Sequence, residues 1–327
     1  MTDVLTPDPE APRAVAAAGP QAAAEPLGAG GWKRWLLIGI PYLWLLALFL
    51  APFAIVLKIS LSQTTIAQPP YEPVLDLAAG WQGLVDFVSG LHLENYSILF
   101  EDEIYVASYL SSLKIAAIST LLALLIAYPM AYGMARAPRS IRPTLLMAVI
   151  LPFWTSLLIR VYAWIGILNP DGLLNAFLMW TGAISEPLYI MNTETAVYIG
   201  IVYSYLPFMV LPLYSSLEKL DETLLEAAAD LGSPPWRAFW QITVPLSLPG
   251  VVAGCFLVFI PAVGEFVIPD LLGGSETLMI GKTLYNEFFL NRDWPVSSAI
   301  AVLLLLVLVV PIAIYNNVQA KELGGKA

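Results

Sequence analysis

LEKLDETLLEAAADLGSPPWRAFWQITVPLSLPG, residues 217–250, is the stretch from which the rest of this 327-residue chain is best read. Asp221 and Glu222 stand where negative charge suits the start of a helix. Thr223 and Glu226 have the spacing of an N-terminal capping box. Leu224, Leu225, Ala228 and Leu231 then fall along one helical face. Gly232 is a good terminator, because a glycine adopts the left-handed conformation at little cost. Ser233 is expected to cap a second helix, with Pro234 and Pro235 placed where missing amide donors do no harm. Trp236, Phe239 and Trp240 give that helix a bulky apolar side, and Pro245 is expected to end it. Between them, Ala227, Ala228 and Ala229 leave a surface nearly free of side chains, which lets a partner's backbone approach closely. On physics alone, an amphipathic loop resting on a membrane surface fits the same pattern.

The flanking sequence explains why a membrane enters the argument. The chain is 58% hydrophobic and only 12% charged, against about 25% charged in ordinary soluble domains. The charges are bunched, which leaves uncharged tracts long enough to span a bilayer, for which about 20 apolar residues suffice. Six spans follow: 35–57, 115–135, 144–168, 195–217, 248–271 and 295–317. The third is interrupted by Arg160, and the apolar piece 173–180 is too short to cross, so it reads as an interfacial or re-entrant helix.

Lysines and arginines set the orientation. Arg136, Arg139 and Arg142 crowd the short loop after span two, Lys33 and Arg34 precede span one, and Lys321 and Lys326 follow span six. The opposite loops hold Lys58, Lys114, Lys282 and Arg292 among many acids, including Glu101, Asp102 and Glu103. Both termini and the 218–245 loop are therefore expected in the cytoplasm. Residues 1–31, rich in Ala, Pro and Gly, are expected to be a disordered cytoplasmic tail, ahead of one membrane domain over 32–327. Because the tract after Arg34 is of full spanning length, it reads as an uncleaved first span and not a signal peptide. The outer loop 58–112 fits either a solvated cap or a docking surface for a partner outside the membrane.

Several classes are excluded. Cys255 is the only cysteine and His92 the only histidine, so neither a disulfide nor a transition-metal site is expected. A net charge of −10 argues against nucleic acid. No Gly-rich phosphate-binding loop with Lys-Ser/Thr occurs, nor any nucleophile–base constellation, so the chain does not read as an enzyme.

The spacing Glu226-Ala227-Ala228, then Gly232, then Ile242-Thr243-Val244-Pro245 resembles the EAA loop of binding-protein-dependent ABC importer permeases. That resemblance implies an all-α membrane protein of the type I ABC importer permease fold, with six transmembrane helices and a cytoplasmic coupling helix. It implies that Glu226, Ala227, Ala228 and Gly232 dock an ATP-binding subunit dimer. It also implies a second, related permease chain, an extracytoplasmic substrate-binding protein, and a bacterial inner membrane as setting. ATP and Mg would be bound by the partner, with no cofactor on this chain. Residues 152–168 (PFWTSLLIRVYAWIGIL) and 259–274 (FIPAVGEFVIPDLLGG) are similar to the spermidine/putrescine branch, and 279–296 (MIGKTLYNEFFLNRDWPV) to its putrescine-type subunit. A polyamine-binding protein is then the implied outer partner.

Ionisable residues inside spans are costly and usually functional. Arg160, Glu265 and Asp270 qualify. Glu265, expected well inside span five, is either a contact for a cationic substrate or the ion-pair partner of Arg160. Asp270, near the span's outer end, is expected to be solvated. Trp154, Tyr162, Trp164, Tyr203 and Tyr205 are candidates for cation–π contact or plain packing. Gly250 and Gly254 have the spacing of a close helix crossing. Rival readings are a permease of the same architecture for thiamine, iron or an oxyanion, and an ion-coupled secondary transporter.

Overall fold

The computed structural model describes residues 31–74 and 80–324. Most of the expected N-terminal tail and Lys326 lie outside the described residues. Contacts divide the chain into a unit ending at Phe53 and a second from Ala54 onward. The described part of the first unit is helical from Gly31 and carries most of an apolar helix, Leu37–Ser60, long enough to cross a membrane. That is span one.

The second unit is built around spans two, four and five. Span two is the helix Glu103–Arg136, span four Glu194–Glu218, and span five belongs to the helix Pro235–Val263. Ala123, Ala127 and Ala131 of span two are fully buried against Met209, Val210 and Leu213 of span four and Val258 of span five. Lipid gives helices no hydrophobic reason to associate, so small residues that let backbones approach supply the packing. Gly250 and Gly254 do the same between spans four and five, as expected. A Cβ at Gly250 would come within 2.6 Å of Ser216 and 2.7 Å of the Pro212 carbonyl.

Three expectations need correction. Span two starts at Glu103 and not near Ile115, because Asp102 accepts a hydrogen bond from the Ile104 amide at 2.9 Å and starts the helix early. Span three is not one helix: Arg142–Ile150 passes through a 3-10 turn at Leu151–Trp154, breaks at Thr155 and Ser156, and resumes as Leu157–Leu168. Pro152, which has no amide to donate, lies in that turn. The short helix Leu173–Trp180 follows after a second turn. Span five ends at Val263, eight residues before its expected end at Leu271, and a separate short helix, Val267–Leu271, begins beyond the break. Span six lies in the helix Trp294–Gly324, as expected.

Residues 61–74 and 80–101 form a cap on the face opposite the 218–245 segment. A two-stranded ribbon pairs Gln63 with Glu72 and Thr64 with Tyr71, and helices Gly80–Ser89 and Glu94–Glu101 follow. The buried Asn95 amide donates to the carbonyls of Ser60 and Ser62 at 2.8 and 2.7 Å. Leu99 is buried with Ile280, Val296 and Ile300, while the Thr64 hydroxyl donates to Asp293 at 2.6 Å. The cap is thus fastened to the start of span six, and this buried apolar contact separates it from a merely solvated loop.

Candidate functional site

The 218–245 segment folds as a helix, a tight turn and a second helix. The first helix is Thr223–Asp230. Its start is not the expected capping box, because Thr223 is already helical and Asp221 accepts from the Thr223 amide at 3.0 Å. The end matches expectation. Gly232 has φ +77°, its amide donates to the Ala229 carbonyl at 2.8 Å, and the Ser233 amide donates to that of Ala228 at 2.9 Å. Those two bonds are the Schellman arrangement that a left-handed glycine permits. Ser233 does not cap the second helix; Pro234 holds the capping position, with Pro235 first in the helix. Nor does Pro245 end that helix. The chain passes from Pro235–Ala238 through a π turn at Phe239–Thr243 directly into span five.

The end of span two and the start of the next helix hold the segment in place. Arg136 Nη1 lies 2.9 Å from Glu222 Oε1, and Arg142 Nη1 lies 3.4 Å from Glu218 Oε1. Phe239 meets the rings of Tyr128 and Tyr132 edge to face, each at 5.7 Å. The four residues singled out from sequence do not share one face. Glu226, Ala227 and Gly232 are exposed, whereas Ala228 is buried against the chain itself. The surface expected of three consecutive alanines is therefore Ala227 and Ala229 only, as helical geometry requires of neighbours about 100° apart. Leu231, assigned from its spacing to the apolar face, is instead 88% exposed beside Gly232. With the exposed Trp236 it leaves apolar surface beside the exposed charges of Glu226, Asp230 and Arg237.

Of the two expectations for Glu265, the ion pair with Arg160 does not form. Glu265 lies in the break after span five, not well inside a helix, and is buried. Its Oε2 accepts from the Tyr205 hydroxyl at 2.5 Å, and its Oε1 accepts from the Val267 and Ile268 amides at 3.0 and 3.4 Å. One phenol and two helix-start amides thus satisfy the carboxylate, with no cationic side chain in ion-pair range among the described residues. Arg160 does not pair with it. The guanidinium instead lies over Phe153 at 5.3 Å, and its Nε and Nη1 are buried with no acceptor among the described residues. Phe153 meets Phe208 edge to face at 5.1 Å, and Phe208 lies 6.1 Å from Tyr205. Aromatic rings thus stand between the two charges. Trp164 packs edge to face on Tyr203 at 5.4 Å and Tyr162 is exposed. Asp270 is not simply solvated; it lies 3.6 Å from Lys282. Phe153 was not singled out from the sequence, and nothing in the spacing of Tyr205 marks Glu265, 60 residues away, as its partner.

Residues 123–322 match the family described as binding-protein-dependent transport system inner membrane component. The chain belongs to that family. It is therefore an ABC importer permease, a multi-pass inner-membrane transport subunit and not the ATPase. It is 48% identical over 223 residues to the spermidine/putrescine transport system permease protein PotB of Salmonella typhimurium, covering 68% of this chain and 77% of that one. The protein of the same name from Escherichia coli K12 is 47% identical over 223 residues, covering 68% and 81%. Among solved structures, a bacterial ABC transporter involved in the import of the acidic polysaccharide alginate superposes with a TM-score of 0.63. That match spans 89% of this chain and 96% of the other, at 15% identity. At that identity the likeness supports the importer permease fold alone.

Proposed function

We propose that this permease is one of two membrane subunits of an importer that carries polyamines, putrescine among them, into the cytoplasm. The observation that carries the reading is identity approaching half over 223 residues to permeases named for spermidine and putrescine transport. A buried carboxylate without a cation, set among aromatic rings, suits a polycationic cargo. In this reading the 218–245 segment and both termini face the cytoplasm. Glu226, Ala227, Ala228 and Gly232 then form the contact with a dimer of ATP-binding subunits, which holds the ATP and Mg. A second, related permease completes the path, and an extracytoplasmic binding protein delivers polyamine to the cap face. Closure of the ATP-binding dimer moves the segment, rotates spans four and five, and opens the path outward.

Uptake of radiolabelled putrescine and spermidine by cells with and without the gene tests this. Equal uptake of both labels in the two strains would sink the polyamine reading. Arg160 favours a second reading, because a half-buried guanidinium whose Nε and Nη1 find no acceptor among the described residues suits a small oxyanion. Uptake of a labelled oxyanion in the same strains, with none of polyamine, would establish that alternative.

A further inference from the structure

Six aromatic side chains form an unbroken series leading away from the cap. Tyr71 of the ribbon lies 6.3 Å from Trp294 at the start of span six, ring centre to ring centre. Trp294 stacks on Phe288 at 5.0 Å with 8° between the planes. Phe288 meets Phe289 at 4.9 Å, and Phe289 meets Tyr285 at 4.7 Å. Tyr285 stacks on Phe266 at 5.0 Å and 10°. Phe266 is bonded to Glu265, whose buried carboxylate has no ion-pair partner among the described residues. The series therefore joins the cap to the break after span five.

Two observations separate it from ordinary aromatic packing. An ammonium already sits on its outer end: Lys58 Nζ is 3.9 Å from the centre of the Tyr71 ring and 5.3 Å from that of Phe87. No acid among the described residues lies within ion-pair range of Lys58, so rings alone hold that charge. The inner half of the series is also open, with Phe289 58%, Phe266 40% and Tyr285 37% exposed, while Tyr71, Trp294 and Phe288 are half-buried. Packed core rings would be covered. Uncovered rings with an ammonium at one end and an unpaired carboxylate near the other suit an organic cation better than a lipid tail.

We propose, resting on the polyamine reading above, that this ring series is a track along which the ammonium groups of a linear polyamine step from the cap to Glu265. Each ring holds a cation weakly, and closely spaced weak sites let an ion enter without trapping it. A flexible diamine reaches two neighbouring rings at once, so one ammonium stays bound while the other moves. Lys58 occupies the first position with the chain's own ammonium and must yield it to the cargo.

The test is putrescine uptake and ATP hydrolysis, measured together in proteoliposomes holding the complete importer with its binding protein. Tyr285→Leu with Phe289→Leu should lower uptake per ATP about fivefold or more, as loss of two cation–π contacts implies. Tyr285→Phe with Phe289→Tyr, which keeps both rings, should retain it. Equal uptake per ATP in the leucine pair, or an equal loss in the ring-preserving pair, overturns the track. Lys58→Met tests the outer end without touching the inner rings. Vacating the Tyr71 face should lower the putrescine concentration for half-maximal uptake, and an unchanged or raised value counts against the proposal. Wild-type vesicles that carry neither putrescine nor spermidine would instead defeat the polyamine reading, and this proposal with it.

Discussion

Arg136 meets Glu222 at 2.9 Å, tying the end of span two to the residue just ahead of the first helix in the 218–245 segment. The pair is partly open to water, with side chains 29% and 67% exposed. It therefore contributes only about 0.2–1 kcal/mol to stability. Its weight lies in where it holds the segment. Arg136→Glu should leave the thermal midpoint nearly unchanged yet lower transport per ATP, and Arg136→Glu with Glu222→Arg should restore it. A double variant no better than the single one would show that the pair does not set the segment's position.

Gly232 separates conformation from contact. Its left-handed φ makes an alanine there strained by about 1 kcal/mol, but a Cβ would meet nothing within 4 Å. Gly232→Asn, which tolerates that conformation, should fold and insert normally. Gly232→Asp and Glu226→Lys should insert but lose the ATP-binding subunits on copurification, if the segment is their docking surface. Retention of those subunits by both charged variants would count against the docking role.

Gly250 and Gly254 should differ although they lie one turn apart. At Gly250 an added Cβ meets the Pro212 carbonyl at 2.7 Å and the Leu213 Cα at 3.2 Å, which only a shift of the helices relieves. Gly250→Ala should cost about 1–3 kcal/mol. At Gly254 the nearest atom is the mobile Met209 Sδ at 2.7 Å, so Gly254→Ala should cost less. Thermal unfolding in detergent measures both, and equal losses would contradict this packing account.

Glu265 and Arg160 should respond independently. Glu265→Ala strands the Tyr205 hydroxyl and the Val267 and Ile268 amides, with each unsatisfied buried donor costing about 1–3 kcal/mol. Glu265→Gln keeps an acceptor and should preserve assembly while impairing polyamine uptake. Arg160→Met should not destabilise the chain, because no acceptor loses a partner. A loss of about 3–5 kcal/mol in that variant would reveal a buried ion pair after all.

The parts of the fold legible beforehand were those with local causes. Uncharged tracts located the spans, and Gly232 marked a turn because one residue's backbone preference decides it. The break at Thr155 and Ser156 was hidden because both halves of span three are apolar, so hydropathy sees a single tract. Pro245 misled for the opposite reason. A π turn just ahead of it absorbs the missing amide, and the helix continues. In the site, the charges Arg160 and Glu265 stood out by composition, but the Tyr205 phenol reaches Glu265 from 60 residues away and Phe153 meets Arg160 across the break in span three. Only packing places Tyr205 on Glu265 and Phe153 beneath Arg160.

The unbroken helix Pro235–Val263 has a mechanical consequence. Its 29 residues make a rod about 43 Å long at 1.5 Å per residue. One tip lies in the 218–245 segment; the other abuts the break that holds Glu265. Pivoted near its middle, where Gly250 and Gly254 seat it on span four, such a lever turns a 5° tilt into roughly 2 Å of travel at each tip. That is comparable to the difference between a made and a broken Tyr205–Glu265 contact. Motion at one surface would thus reach the carboxylate by leverage alone, with no intervening chain of side-chain rearrangements.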